Sequence, residues 1–155
     1  MRFLEIYAGT AKLTHTVAEK GCEVADPIDL RFRKDAQAMH AELLAAARCG
    51  KYDWVHWGLP CKTWCLQARG AGTRRAQGRP RAHQRGPPAP MGGRDGLEPT
   101  EDEKLANRQC EEMCELMRAV LESGGHVSLE NGWQSVLWQA PCLLELCADW
   151  QMYSV

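Results

Sequence analysis

Short apolar, β-prone runs alternate with helical segments along this chain, and most of the connections between them are brief turns. Arg2 to Tyr7 reads as a first strand. The small residues Ala8-Gly9-Thr10-Ala11 turn the chain into a helix carrying Leu13, Val17 and Ala18, with Gly21 as its stop. Cys22 to Ile28 is a second strand, ending at Asp29. Asp35 can cap a helix whose apolar face is Ala36, Met39, Leu43 and Ala46/Ala47, stopped by Gly50. Tyr52 to Trp57 is a third strand, running into Gly58-Leu59-Pro60-Cys61. Thr100 to Glu103 spells a capping box. The helix behind it carries Leu105, Met113, Leu116/Met117 and Val120/Leu121, and ends at Ser123-Gly124-Gly125. His126 to Leu129 is a fourth strand, followed by short helices around Ser135–Trp138 and Leu143–Ala148. Gln151 to Val155 reads as the start of another strand. This alternation predicts an α/β domain with a mostly parallel sheet.

One stretch breaks the pattern. Residues 66–99 are rich in Gly, Pro and Arg and have little periodicity, which predicts a flexible loop within one domain spanning 1–155. Seven arginines fall between Arg69 and Arg94, and the nearest acid is Asp95. The whole chain carries a net charge of −1, so the body is acidic and the insert basic. Arg69, Arg74, Arg75, Arg79, Arg81 and Arg85 could grip a phosphate backbone. No aromatic residue is interleaved among them, so a base-stacking signature is missing. A solvated polar insert has the same composition.

In parallel α/β sheets ligands bind beyond the carboxyl ends of the strands. Four features fall there together: the Tyr7–Ala11 turn, Asp29, Pro60-Cys61 and Glu130-Asn131. The turn lets a ligand approach backbone at a helix N-terminus, where N–H groups are free. Asp29 is placed to accept from a ribose, or to cap a turn. Cys61 is a candidate nucleophile, or a structural thiol. The neighbouring Lys62 favours a thiolate if it points toward it. Glu130 is a candidate acid, or a surface charge before an Asn131-Gly132 turn.

The eight cysteines are too sparse for a disulfide scaffold. No apolar run is long enough to span a membrane, and Glu5 interrupts any leader-like apolar segment. The expectation is a protein of a reducing compartment, nuclear or cytoplasmic, with free thiols and no metal. Cys61/Cys65, Cys110/Cys114 and Cys142/Cys147 have zinc-like spacings. Cys110 and Cys114 sit mid-helix, however, where packing is the simpler role. His56 alternates with Val55 and Trp57 in a strand and reads as a packed or hydrogen-bonded residue.

In this order the words resemble the DNA cytosine-5 methyltransferases. Phe3-Leu4-Glu5-Ile6-Tyr7-Ala8-Gly9 is similar to that family's Phe-Ala-Gly motif. Trp57-Gly58-Leu59-Pro60-Cys61 is similar to its Gly-Pro-Pro-Cys motif, and Leu129-Glu130-Asn131 to its Glu-Asn motif. The resemblance implies a Rossmann-like class I methyltransferase fold using S-adenosylmethionine. Tyr7, Ala8, Gly9, Thr10, Ala11 and Pro60 would border the cofactor, Asp29 its ribose and Asp35 its adenine. Cys61 would attack cytosine C6, Glu130 would contact N3, and Asn131 would position the loop. The base would be flipped from a DNA duplex, with the arginine loop on the phosphates.

The chain also departs from the family. Ala11 replaces the second glycine of the first motif, Leu59 replaces a proline, and Gly132 follows Asn131 where the family has valine. The resemblance covers residues 2 to about 138, the first half of such an enzyme. It therefore implies that a second chain or a C-terminal region supplies target recognition. Two alternatives stand beside it: a non-catalytic module binding nucleic acid or a partner chain, and an RNA cytosine methyltransferase.

Overall fold

A computed structural model describes residues 1–61, 63–64, 91–92 and 98–150. The loop arginines, Lys62, Cys65 and the expected strand at 151–155 lie outside the described residues. The elements run β1 (Arg2–Ile6), α1 (Lys12–Glu19), β2 (Glu23–Val24), α2 (His40–Arg48), β3 (Trp54–Trp57), α3 (Glu101–Glu122), β4 (His126–Leu129) and α4 (Pro141–Asp149). The four strands form one sheet in the order β2-β1-β3-β4, and every pairing is parallel. The α/β expectation therefore holds.

The chain divides into two compact units. Unit 1 comprises residues 1–59 and 112–130, and so contains the whole sheet. Unit 2 comprises residues 60–111 and 131–155. Helix α3 contributes its first half to unit 2 and its second half to unit 1.

Unit 1 is organised around β1 and β3. Phe3, Leu4, Ile6, Val55 and Trp57 are essentially inaccessible to solvent. The register runs Phe3 to Trp54, Glu5 to His56 and Ile6 to Trp57 on one side of β3, and His56 to Ser128 on the other. Leu43, Leu44 and Ala47 of α2, Val17 of α1 and Met113, Met117 and Val120 of α3 complete the core of this unit. β2 is shorter than its apolar run. Pro27 has no N–H to donate, and only an isolated bridge at Ile6–Ile28 continues the pairing beyond Val24.

Unit 2 packs Trp64, Leu137, Ala140, Leu143 and Leu146, all almost completely buried. The Val136 amide donates to the Trp64 carbonyl at 3.0 Å, and a 3-10 turn over Val136–Gln139 leads into α4. Pro141 opens α4, a position where its missing N–H costs nothing.

Two helix expectations need correction. Asp35 does not cap α2. Its carboxylate accepts from the Gln37 amide at 3.0 Å, closing a local turn, and the helix starts at His40 after the cap residue Met39. In α3 the buried stripe is Ala106, Cys110, Met113, Met117 and Val120, whereas Leu105 is 37% exposed. Small Ala106 and Cys110 carry less hydrophobic signal than leucine, so the apolar pattern points to Leu105 instead. The capping box is present as expected. The Thr100 amide donates to Glu103 Oε2 at 2.8 Å, and the Glu103 amide donates back to Thr100 Oγ1 at 3.3 Å.

Candidate functional site

The carboxyl edge of the sheet in unit 1 gathers Tyr7–Ala11, Asp29, Gly58 and Glu130. Three residues of the first turn, Tyr7 (φ 58), Gly9 (φ 55) and Ala11 (φ 55), take left-handed backbone conformations. Only glycine adopts these without penalty, so Tyr7 and Ala11 hold strain that their surroundings must offset. Ala8 and Ala11 are buried, and Thr10 is exposed at the tip. A Cβ added at Gly9 would meet nothing within 4 Å, so the space over this glycine is open.

The amides of this turn are largely spoken for. Ala8 N–H donates to the Ile28 carbonyl, Gly9 N–H to Asp29 Oδ2 at 2.9 Å, and Ala11 N–H to the Ala8 carbonyl. Thr14 N–H, in the first turn of α1, donates to Glu5 at 2.7 Å. The expected row of free N–H groups is thus occupied at four positions by the protein itself. Asp29 is equally committed. Besides Gly9, it accepts from the Arg31 amide through Oδ1 at 2.9 Å, capping the 3-10 turn Leu30–Phe32. Each carboxylate oxygen of Asp29 has a second lone pair. Tyr7 is half-buried, and that burial pushes its phenol well above the ordinary range, with the charges of Glu112 and Asp35 adding to the shift. Its hydroxyl is therefore neutral at any physiological pH. The side of the turn that Tyr7 faces is acidic.

β3 ends at this edge in Gly58. A Cβ there would stand 3.0 Å from the Tyr7 carbonyl oxygen and 4.0 Å from Glu130 Oε2. The glycine therefore lets the first turn and the end of β4 approach one another. Glu130 N–H donates to the Trp57 carbonyl at 2.9 Å, extending the ladder one residue beyond β4. The Glu130 side chain is exposed, and no hydrogen bond or ion pair involving its carboxylate is found among the described residues. Below it on the same face, His56 Nδ1 lies 2.8 Å from Ser128 Oγ, which also accepts from Trp54 Nε1 at 2.8 Å. Desolvation lowers the His56 pKa, while the nearby carboxylates of Glu5 and Glu130 oppose the shift. The expectation of a hydrogen-bonded strand histidine holds.

The remaining predicted residues lie in unit 2. Pro60 and Cys61 are exposed, and the Cys61 carbonyl accepts from the Trp64 amide at 3.0 Å. The thiol thus sits on a tight turn anchored by a buried tryptophan. Asn131 is half-buried and its Oδ1 accepts from the Gly132 amide, while Trp138 Nε1 donates to the Gly132 carbonyl. These bonds fit the turn expected at Asn131-Gly132. The same unit brings Cys110 Sγ to 3.5 Å from Cys142 Sγ. Thiols are the ligand atoms here that could hold a metal ion. Cys110 and Cys114 are buried in the helix, as the packing reading expected, but the nearness of Cys110 to Cys142 has no signal in the local sequence.

Comparison with known proteins finds no family model, no curated protein and no solved structure that matches this chain. Among the described residues no helix is long and apolar enough to cross a membrane.

Proposed function

We propose that this chain is a methyltransferase-like domain of the cytosine-5 type that uses S-adenosylmethionine and acts on cytosine in DNA. The observation that carries the proposal is the carboxyl edge of unit 1. A strained turn, Asp29 beyond the end of β2 and the solvent-facing Glu130 meet there, the first and last within words resembling that family's motifs. The residues at the edge suit the cofactor. The space over Gly9 is open, Asp29 keeps acceptor capacity for hydroxyl groups, and Asp35 and Glu112 make the surroundings favourable to a cation.

In this reading Cys61 acts as a thiolate. Its electron pair forms a bond to cytosine C6, and electron density moves toward C5 and N3. Glu130 hydrogen-bonds N3 and offsets the charge that accumulates there. When bound, S-adenosylmethionine would supply an electrophilic methyl group to C5 and depart as the neutral thioether S-adenosylhomocysteine. Loss of the C5 proton to solvent then re-forms the double bond and expels the Cys61 sulfur. Asn131 fixes the turn after Glu130, and the arginines at 69, 74, 75, 79, 81 and 85 hold the phosphates.

A duplex bearing 5-fluorocytosine tests the covalent step, because fluorine cannot leave C5 as the proton does. The expected result is a cofactor-dependent adduct that survives denaturation and disappears in Cys61→Ser. A folded protein that binds S-adenosylmethionine in calorimetry yet gives no adduct overturns the catalytic claim. Offering tRNA beside duplex DNA decides between the two nucleic acids.

One observation favours a second reading, a non-catalytic module on the same fold. Both Asp29 oxygens and the Ala8, Gly9 and Ala11 amides already serve the protein's own turns. That module would bind nucleic acid with strong salt dependence and no effect of Cys61→Ser.

A further inference from the structure

We propose that Cys110 and Cys142 form an oxidisable dithiol that closes to a disulfide within unit 2. Their sulfur atoms are 3.5 Å apart, at van der Waals contact, although the residues are 32 positions apart in sequence. Closing the bond requires the sulfurs to approach by about 1.5 Å, since a disulfide spans about 2.05 Å.

The two thiols are unequal in ways that assign their roles. Cys142 is half-buried and stands at the second position of α4, a nine-residue helix. Its partial exposure lets a small oxidant reach the sulfur. Cys110 is completely buried in α3 and has no such exposure to an oxidant. Cys147, further along α4, is a poorer nucleophile, because burial pushes its thiol pKa up. Cys142 is therefore the attacking thiol and Cys110 the resolving one.

The chemistry balances with a hydroperoxide as oxidant. The Cys142 thiolate attacks one peroxide oxygen, the O–O bond breaks, and the thiolate becomes a sulfenic acid while the other oxygen leaves as water or alcohol. The Cys110 sulfur then attacks the Cys142 sulfur, the S–O bond breaks, and water departs. Two thiols have lost two protons and two electrons, and the peroxide has accepted them. The step is independent of the methyltransferase reading, since neither cysteine has a role in it.

The test treats the reduced whole chain with hydrogen peroxide near one equivalent, at low protein concentration, and then alkylates the remaining thiols. Peptide mapping is expected to show a Cys110–Cys142 link, reversed by a dithiol reductant. Cys142→Ser should abolish the link, and Cys110→Ser should leave a trappable sulfenic acid at Cys142. A second measurement, the thermal midpoint, should rise by several degrees in the linked form, because the bond constrains a 33-residue loop in the unfolded chain. Cys110→Ala provides the same reading if Cys110→Ser folds poorly. The proposal is overturned if the oxidised protein links other cysteines or only forms dimers through exposed Cys49 or Cys61. It is also overturned if the reduced protein retains zinc that protects these thiols from peroxide.

Discussion

Glu5 and Glu130 stand on the same side of one parallel sheet and serve opposite ends. Glu5 pairs in register with His56, and His56 with Ser128, so Glu130 follows two residues later on the same face. Glu5 is only 6% exposed, and its carboxylate receives both the amide and the hydroxyl of Thr14 at the start of α1. Glu130 makes the last ladder bond through its amide, and its side chain stands in solvent with no such duty. Inside the sheet a carboxylate survives only by satisfying a helix terminus, whose amides otherwise lack partners. At the carboxyl edge the same side chain is released from the fold. Glu103 repeats the first case, buried at 4% exposure and bonded to Thr100.

The sharpest way to break this contrast is Glu5→Ala. It removes a charged acceptor and strands a buried amide and hydroxyl, so the loss should be about 3 kcal/mol or more. Urea unfolding would read it as a lower midpoint with an unchanged slope. A loss no larger than that of a surface substitution would mean that Glu5 is not holding α1.

Gly58→Val comes next. Its Cβ would press on the Tyr7 carbonyl at 3.0 Å, a backbone atom that cannot swing aside, and its branches would crowd Glu130. A cost of about 1–3 kcal/mol is expected, together with a weaker response to S-adenosylmethionine in calorimetry. Thr100→Ala tests the second buried acid more gently. It deletes one half of the capping box and should cost about 1 kcal/mol, read in the same unfolding experiment.

The contrast also explains what the sequence revealed. Strand and helix alternation, the parallel sheet, the capping box and the position of Glu130 were all legible, because each rests on local periodicity or on a short word. Glu5 was visible only as an interruption in an apolar run. Its partner Thr14 lies in the next element, and nothing local marks a pair formed across that distance. The same holds for Asp35. A capping acid and a turn acid look alike in sequence, and the choice depends on where the helix packs. The contact between Cys110 and Cys142 was hidden for this reason as well, being a tertiary meeting of two unremarkable cysteines.

His56, between the two acids, gives a smaller and pH-dependent handle. Burial lowers its pKa in the folded state, so the unfolded chain takes up the proton first as the pH falls. Its contribution to stability is therefore level above about pH 6.5 and declines below it. Partial exposure and the two carboxylates keep the effect small. His56→Gln retains a hydrogen-bonding group for Ser128 and should flatten this part of the acid decline in unfolding free energy measured from pH 7 to 5.

The smallest stability effect belongs to Glu130→Gln. An exposed side chain whose carboxylate makes no hydrogen bond or ion pair among the described residues should shift unfolding by no more than about 0.5 kcal/mol. The same change replaces a carboxylate by a neutral amide that cannot offset charge at N3. The rate of adduct formation with 5-fluorocytosine DNA should then fall on the order of 10²-fold. The comparison with Glu5 makes this decisive. Glu5→Ala lowers stability, and any adduct it loses can be traced to unfolding. Glu130→Gln must lose the adduct while the unfolding curve stays in place. A variant that keeps both would return Glu130 to the role of a surface charge at the end of a strand.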